Sequence, residues 1–235
     1  MKLINLPNII TCCNLLCGCL AVFFGLNGQV GTASLYIILG AVFDFFDGMS
    51  ARALHISGPI GKELDSLADM VTFGVAPSVL CYQILMSYAM AANWLPLLAF
   101  IMAAFSALRL AKFNCDERQT LSFIGLPTPA NALLWIGLVH LNAFASVHDA
   151  LNGWVYLVAM LLLSYLLISE LPMFSLKIKS GHMGWKENIV RYSFLVACVV
   201  IFVVTALIDI ELFKACPAFI ILLYIILSAL SAKKQ

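Results

Sequence analysis

The sequence predicts an all-α membrane protein, a polytopic helix bundle, and three observations support this. Hydrophobic residues make up 63% of the 235 residues, and the mean hydropathy is +1.02. Charged residues make up only 11% of the chain, well under the usual share of about 25% in soluble domains. Apolar stretches near the roughly 20 residues that a spanning helix needs recur along the whole chain. An ordinary soluble globular domain is therefore excluded.

About eight transmembrane helices are predicted, and the segments between them are short. The predicted spans cover residues 8–26, 32–53, 65–89, 94–113, 129–147, 152–170, 190–208 and 216–232. The first span lacks a small-residue cleavage site, so we interpret it as a membrane helix rather than a signal peptide. Without repeats or a polar domain, residues 1–235 are expected to form a single membrane domain.

The positive charges predict the orientation. If the N-terminus is cytoplasmic, all but one of the 13 Lys and Arg residues fall in or beside cytoplasmic segments, and Lys214 is the exception. Positive residues concentrate in cytoplasmic loops. We therefore expect both termini in the cytoplasm and a multi-pass location in the cell (inner) membrane.

Four aspartates form two pairs at the predicted cytoplasmic ends of the second and third helices. Asp44 and Asp47 are three residues apart, and Asp65 and Asp69 are four apart, so each pair lies on one helix face. A loop with glycine and proline at 58–61 is predicted to join the two helices as a hairpin, which lets the pairs converge. Acidic residues in membrane spans usually mark function, although acids at helix ends that reach for the headgroups are the plainer alternative.

Converging carboxylates repel one another and need compensating charge. Arg52 and Lys62 could supply part of it. A hard divalent cation fits better, because Mg²⁺ and Mn²⁺ prefer oxygen ligands. Two such ions could share the four side chains and hold a phosphate between them.

Gly48 and Arg52 follow the first pair closely. Gly48 has no side chain, so a phosphate could approach its backbone, although glycine is also common where membrane helices pack. Arg52 could bind a phosphate oxygen or a pyrimidine, or it could anchor the helix at the lipid headgroups.

This stretch resembles the signature of the CDP-alcohol phosphatidyltransferase family, D-x2-D-G-x2-A-R-x8-G-x3-D-x3-D. The pattern is matched at every position, by Asp44, Asp47, Gly48, Ala51, Arg52, Gly61, Asp65 and Asp69. The resemblance implies transfer of a phosphatidyl group from CDP-diacylglycerol to an alcohol, with release of CMP and without a covalent enzyme intermediate.

The resemblance also implies a role for each matched residue. Asp44, Asp47 and Asp65 would bind two metal ions, and Asp69 would bind the second ion and act as the general base. The remaining candidates would contact the CDP moiety, and they are Pro7, Asn8, Thr11, Gly48, Arg52, Ser57 and Gly58. Family members often have Ser or Thr near the position of Gly58, and here Ser57 is adjacent to it.

The acceptor alcohol is suggested by a second segment. The RLAKFN and GLPTPAN portions of residues 106–131 resemble the serine-accepting bacterial members of this family. Arg109, Lys112 and Asn114 could bind the carboxylate of L-serine, but the two cations could equally be anchors of the positive-inside kind. Glycerol phosphate or inositol phosphate is the alternative acceptor.

A cation carrier that uses the four aspartates as a transport site is the alternative of a different class. Carriage needs acids deep in the membrane and access from both faces, whereas these acids are predicted at one edge. The expected partners are CDP-diacylglycerol, L-serine and membrane lipids, without nucleic acid. The resemblance favours a homodimer.

Overall fold

The computed structural model describes residues 4–56, 58–88, 92–116, 123–145, 150–173 and 185–232. Within these ranges the side chains of residues 123, 144–145, 150–152, 185–190 and 232 are not described. Over this part of the chain the fold consists of eight helices and one pair of two-residue strands. The helices are α1 Leu6–Leu26, α2 Val30–Ala53, α3 Pro59–Met86, α4 Leu95–Cys115, α5 Thr128–Ala145, α6 Ala150–Ile168, α7 Trp185–Ile208 and α8 Ile210–Ala232. The strands are β1 Phe123–Ile124 and β2 Pro172–Met173.

The predicted all-helical membrane architecture is confirmed. Within the described residues, six helical spans are long and apolar enough to cross a membrane, and a seventh apolar stretch, Gly153–Ile168, is shorter. The six are Leu6–Leu26, Val30–Ala53, Pro59–Met86, Leu95–Cys115, Arg191–Ile208 and Ile210–Ser231. The chain is therefore a multi-pass membrane protein.

Two of the predicted helices begin six residues earlier than expected. α3 begins at Pro59 rather than at residue 65, because Gly58 is extended and Pro59 has the backbone angle suited to a first helical turn. Thus the predicted loop at 58–61 is largely helical. α8 begins at Ile210 rather than at residue 216, because the Lys214–Glu211 ion pair (2.5 Å) makes a charged first turn compatible with a helix.

α1 and α2 form a tight antiparallel hairpin. Asn5 caps the start of α1 by accepting a hydrogen bond from the backbone N–H of Asn8 at 2.9 Å. The turn to α2 uses Gly28 with a φ of 74°, a left-handed conformation that glycine adopts without steric cost. The hairpin brings the start of α1 to the same edge of the bundle as the end of α2.

α3 contains two α-helical stretches joined by a π-helical segment, Met70–Val75, directly after Asp69. Its first stretch is amphipathic and mostly accessible, whereas its second stretch, Ala76–Met86, is largely buried. The core around this second stretch contains Phe73, Leu80, Ile84, Leu85, Met102, Trp135 and Met160. Segments of π-helix frequently occur at functional sites, and this one separates the acidic turns from the core.

The linkers after α4 and α6 are tied together at the edge that carries the acids. β1 and β2 pair antiparallel, and the Gly125 N–H donates to the Leu171 carbonyl at 2.9 Å. Gly125 has a φ of 78°, and a Cβ there would stand 2.6 Å from the Leu167 carbonyl oxygen. The sequence analysis missed this contact, because two-residue strands give no periodic signal.

Candidate active site

Three of the four aspartates form a close group. Ligand oxygens of Asp44, Asp47 and Asp65 all lie within 4.8 Å of one another. The first two come from the end of α2 and the third from the start of α3. The two helices therefore bring Asp44, Asp47 and Asp65 together, as the sequence predicted. Three carboxylate oxygens at this separation suit a hard divalent cation.

The charge balance also fits a cation. Among the side chains that the structure describes, no lysine or arginine forms an ion pair with the three-aspartate group. Thr11 donates to Asp47 at 2.6 Å and so satisfies one oxygen of that carboxylate. Arg52 is exposed, and Lys62 donates to the backbone oxygen of Asn114 at 2.7 Å. The group therefore lacks the compensating positive charge that neighbouring carboxylates require.

Asp69 lies beside this group but has different partners. It is 9% exposed and lies within hydrogen-bonding reach of Asp44. The Asn14 amide donates to its Oδ1 at 3.2 Å, and the charge of Arg109 acts on its carboxylate. The fourth acid is thus next to the candidate metal ligands but is held by Asn14, a partner that they do not share.

A cleft of about 280 Å³ opens beside the aspartates. Its lining comes from the first turns of α1, the end of α2 and the start of α3, and comprises Pro7, Asn8, Thr11, Asp47, Gly48, Ala51, Ile56, Gly58, Gly61, Lys62 and Asp65. Five predicted donor contacts, Pro7, Asn8, Thr11, Gly48 and Gly58, therefore line one space. Ser57 lies outside the described residues.

Gly48 has open space where a side chain would stand. Among the described residues, a Cβ built on it meets only Arg52 Nη1, at 3.6 Å, which is an ordinary contact. Arg52 therefore lies next to Gly48, although it is not among the residues that line the cleft. Because no helix in the described part of the chain approaches Gly48 within 4 Å, packing between these helices does not explain a glycine at this position.

The three predicted acceptor residues do not converge. Arg109 is 3% exposed, its Nε has no hydrogen-bond partner among the described residues, and its guanidinium lies 4.9 Å from the centroid of the Phe113 ring. Lys112 forms an ion pair with Glu170 at 2.5 Å, and Asn114 donates to Ser66 Oγ at 2.8 Å. Of the three side chains only that of Arg109 is buried, and the other two hold α4 against neighbouring segments.

The sequence analysis assigned no role to two residues at this site, because Asn14 bonds to Asp69 and Thr72 bonds to the backbone of Asn14. Lys62, which was considered only as a source of compensating charge, lines the cleft. Asn14 follows Thr11 by three residues, so helical spacing could have indicated it. Thr72 gave no signal, because its position depends on the π-helical segment.

Comparison with known proteins identifies related sequences. A model of the CDP-alcohol phosphatidyltransferase family matches residues 4–166. A Bacillus subtilis protein named CDP-diacylglycerol–serine O-phosphatidyltransferase is 42% identical over 128 residues, which cover 53% of this chain and 69% of the relative.

Two further relatives carry the same name. The Mycobacterium leprae protein is 34% identical over 72% of this chain and 57% of its own length. The Helicobacter pylori protein (strain 26695) is 30% identical over 70% of each chain. The match thus spans somewhat more than half of the mycobacterial relative and about seven tenths of the other two.

Proposed function

Because the chain belongs to the CDP-alcohol phosphatidyltransferase family, we propose that it transfers the phosphatidyl group of CDP-diacylglycerol to L-serine, giving phosphatidylserine and CMP. The observation that carries this proposal is the group of Asp44, Asp47 and Asp65 beside a cleft whose lining includes three glycines. Serine as the acceptor is supported by the names of the three relatives.

The aspartates would hold the divalent metal, Mg²⁺ or Mn²⁺. Asp44, Asp47 and Asp65 would supply its ligands, and Asp69 would contribute to a second ion. When bound, such cations neutralise the diphosphate and the charge that develops during transfer. The Thr11 hydroxyl donates to Asp47 Oδ2, and this leaves the other oxygen of Asp47 for the metal.

The cleft would hold the nucleotide end of the donor lipid. Asn8 and Thr11 supply polar groups on one wall, and Gly48 leaves space for the diphosphate. Lys62 lines the same cleft, and its positive charge suits a phosphate oxygen. Arg52, next to Gly48, can reach the outer part of the donor.

The reaction would be a single displacement at the lipid-bearing phosphorus. The hydroxyl oxygen of serine forms the new bond, and the bond from phosphorus to the bridging oxygen breaks, so that its electron pair leaves with CMP. Asp69 takes the hydroxyl proton, since a serine hydroxyl is a poor nucleophile while protonated. Arg109 lies near this base and would bind the serine carboxylate, because its Nε is otherwise unpartnered.

We also propose the setting of the site. The edge of the bundle that carries the aspartates would face the cytoplasm, with both termini on that side, in the cell (inner) membrane. The distribution of Lys and Arg supports this orientation. Residues 1–235 would form one domain, and the protein would act as a homodimer among membrane lipids.

The decisive experiment measures CMP release by the purified full-length protein. CDP-diacylglycerol is supplied in detergent micelles with Mg²⁺ or Mn²⁺ and one of L-serine, glycerol 3-phosphate or inositol phosphate. Release that depends on L-serine, with phosphatidylserine as the lipid product, is expected. Preference for a phosphorylated alcohol would refute serine as the acceptor but keep the transferase activity. No release with any alcohol, together with metal uptake by proteoliposomes, would favour the carrier alternative.

A further inference from the structure

Asn14 is a buried polar residue next to the proposed base. It lies on α1, one turn after Thr11, and its exposed fraction is 0%. Its Nδ2 donates to Asp69 Oδ1 at 3.2 Å. A carboxylate only accepts hydrogen bonds, so the nitrogen of the amide must face Asp69. Within the part of the chain that the structure describes, the oxygen of the same amide, Oδ1, then has no hydrogen-bond partner.

The amide of Asn14 is enclosed on its other sides. A Cβ built on Gly40 would stand 2.9 Å from Asn14 Oδ1 and 2.5 Å from Thr72 Cγ2. Thr72 donates from its hydroxyl to the backbone oxygen of Asn14 at 3.1 Å. Gly18 leaves room for the same threonine, because a Cβ there would lie 2.4 Å from its Oγ1. The neighbouring helices therefore hold the Asn14 side chain in one position.

Stability alone does not account for asparagine at this position. A buried carbonyl oxygen without a partner is costly, and the cost is greatest where no water is available to bond to it. Leucine has nearly the same size and would fill this space without leaving an orphaned polar atom. What asparagine provides that leucine does not is the hydrogen bond to Asp69.

That bond gives Asp69 a partner that the other three acids do not share. Asp44, Asp47 and Asp65 form the close group, whereas Asp69 is not part of it. Asn14 fixes the Asp69 carboxylate through Oδ1, and the hydroxyl proton would go to the other oxygen, Oδ2. We propose that Asn14 is a positioning residue that holds the Asp69 carboxylate as the proton acceptor, an inference that rests on the proposed function.

The first test compares Asn14→Leu, which keeps the volume, with Asn14→Ala, which leaves a cavity. Asn142→Leu is the matched control. Asn142 is also a buried asparagine, but it bonds to Tyr88 and Ser87, away from the aspartates. For both Asn14 variants kcat should fall by at least about 10-fold, and by no more than the roughly 10²- to 10⁴-fold that general-base catalysis contributes. The KM for CDP-diacylglycerol should change by less than about 3-fold, and the control should keep its kcat.

The second test is a double-mutant cycle with Asp69→Asn. If Asn14 acts through Asp69, adding Asn14→Leu to Asp69→Asn should cause little further loss of kcat. Additive losses, or an unchanged kcat in the single Asn14 variants, would overturn the inference while leaving wild-type transfer intact. A wild-type protein that releases no CMP would instead overturn the proposed function itself. Tm values of every variant show whether folding is affected, and Asn14→Ala serves if Asn14→Leu does not fold.

Discussion

Replacing Gly48 with alanine tests whether this glycine allows the diphosphate of the donor to approach the backbone or instead serves helix packing. The added methyl group would meet only Arg52 Nη1, at 3.6 Å, and would stand in the open space beside the cleft. The fold should therefore accept the change. Glycine inside a helix is less stable than alanine by about 0.5–1 kcal/mol, so Gly48→Ala should leave Tm unchanged or raise it by up to about 4 °C.

The activity of Gly48→Ala should change in the opposite direction. A methyl group that displaces the diphosphate should cost about one charge-assisted contact, or roughly 1.5–3 kcal/mol. That cost corresponds to about one to two decades in kcat/KM for CDP-diacylglycerol. The KM for serine should change little, because Arg109 lies on α4 rather than beside Gly48.

The control for Gly48→Ala is Gly40→Ala on the same helix. A Cβ on Gly40 would stand 2.5 Å from Thr72 Cγ2, so overpacking should cost about 1–3 kcal/mol and lower Tm. CMP release and thermal unfolding are measured on both variants in the same detergent. If Gly48→Ala keeps wild-type kcat/KM, or if it loses stability as Gly40→Ala does, the assignment of Gly48 to the donor site is refuted.

Three further predictions concern the metal, the acceptor and the orientation in the membrane. EDTA should abolish CMP release, and Mg²⁺ or Mn²⁺ should restore it. Asp44→Asn should raise the metal concentration that gives the half-maximal rate. Full turnover after exhaustive chelation would exclude a role for metal. Arg109→Ala should raise the KM for serine by about 10- to 100-fold, as expected for a lost charged hydrogen bond. The KM for CDP-diacylglycerol should change less. Equal effects on the two KM values would contradict a role of Arg109 in binding the acceptor. Lys62→Cys and Lys214→Cys are made in a background without reactive cysteines and are then labelled. The cysteine at position 62 should react from the cytoplasmic face and the one at position 214 from the opposite face. The reverse pattern would refute the orientation.

The aspartate group was predictable from the sequence because its determinants are local. Spacings of three and four residues place each pair on one helix face, and a short connection forces the two helices to be neighbours. Asp44, Asp47 and Asp65 are brought together accordingly. The separate surroundings of Asp69 were not predictable, since they depend on Asn14, 55 positions earlier in the chain.

The acceptor cluster shows the limit of reasoning from proximity along one helix. Arg109, Lys112 and Asn114 share the end of α4. Arg109 and Lys112 are three residues apart and lie on one helix face, but Asn114, five residues after Arg109, points in a different direction. Lys112 meets Glu170 and Asn114 meets Ser66, partners that lie more than forty positions away along the chain. Long-range pairings of this kind leave no periodic trace in the sequence.

The π-helical segment Met70–Val75 means that the two halves of α3 are aligned independently of each other. An α-helix turns by about 100° per residue, and in a π-helix the extra residue in the turn shifts the angular position of everything after it. The acidic half can thus face α1 while the second half presents Leu80, Ile84 and Leu85 to the interior. One continuous helix therefore contributes both to a polar chemical centre and to a dry core. Because the two halves are aligned independently, substitutions that repack the interior need not rotate the carboxylates.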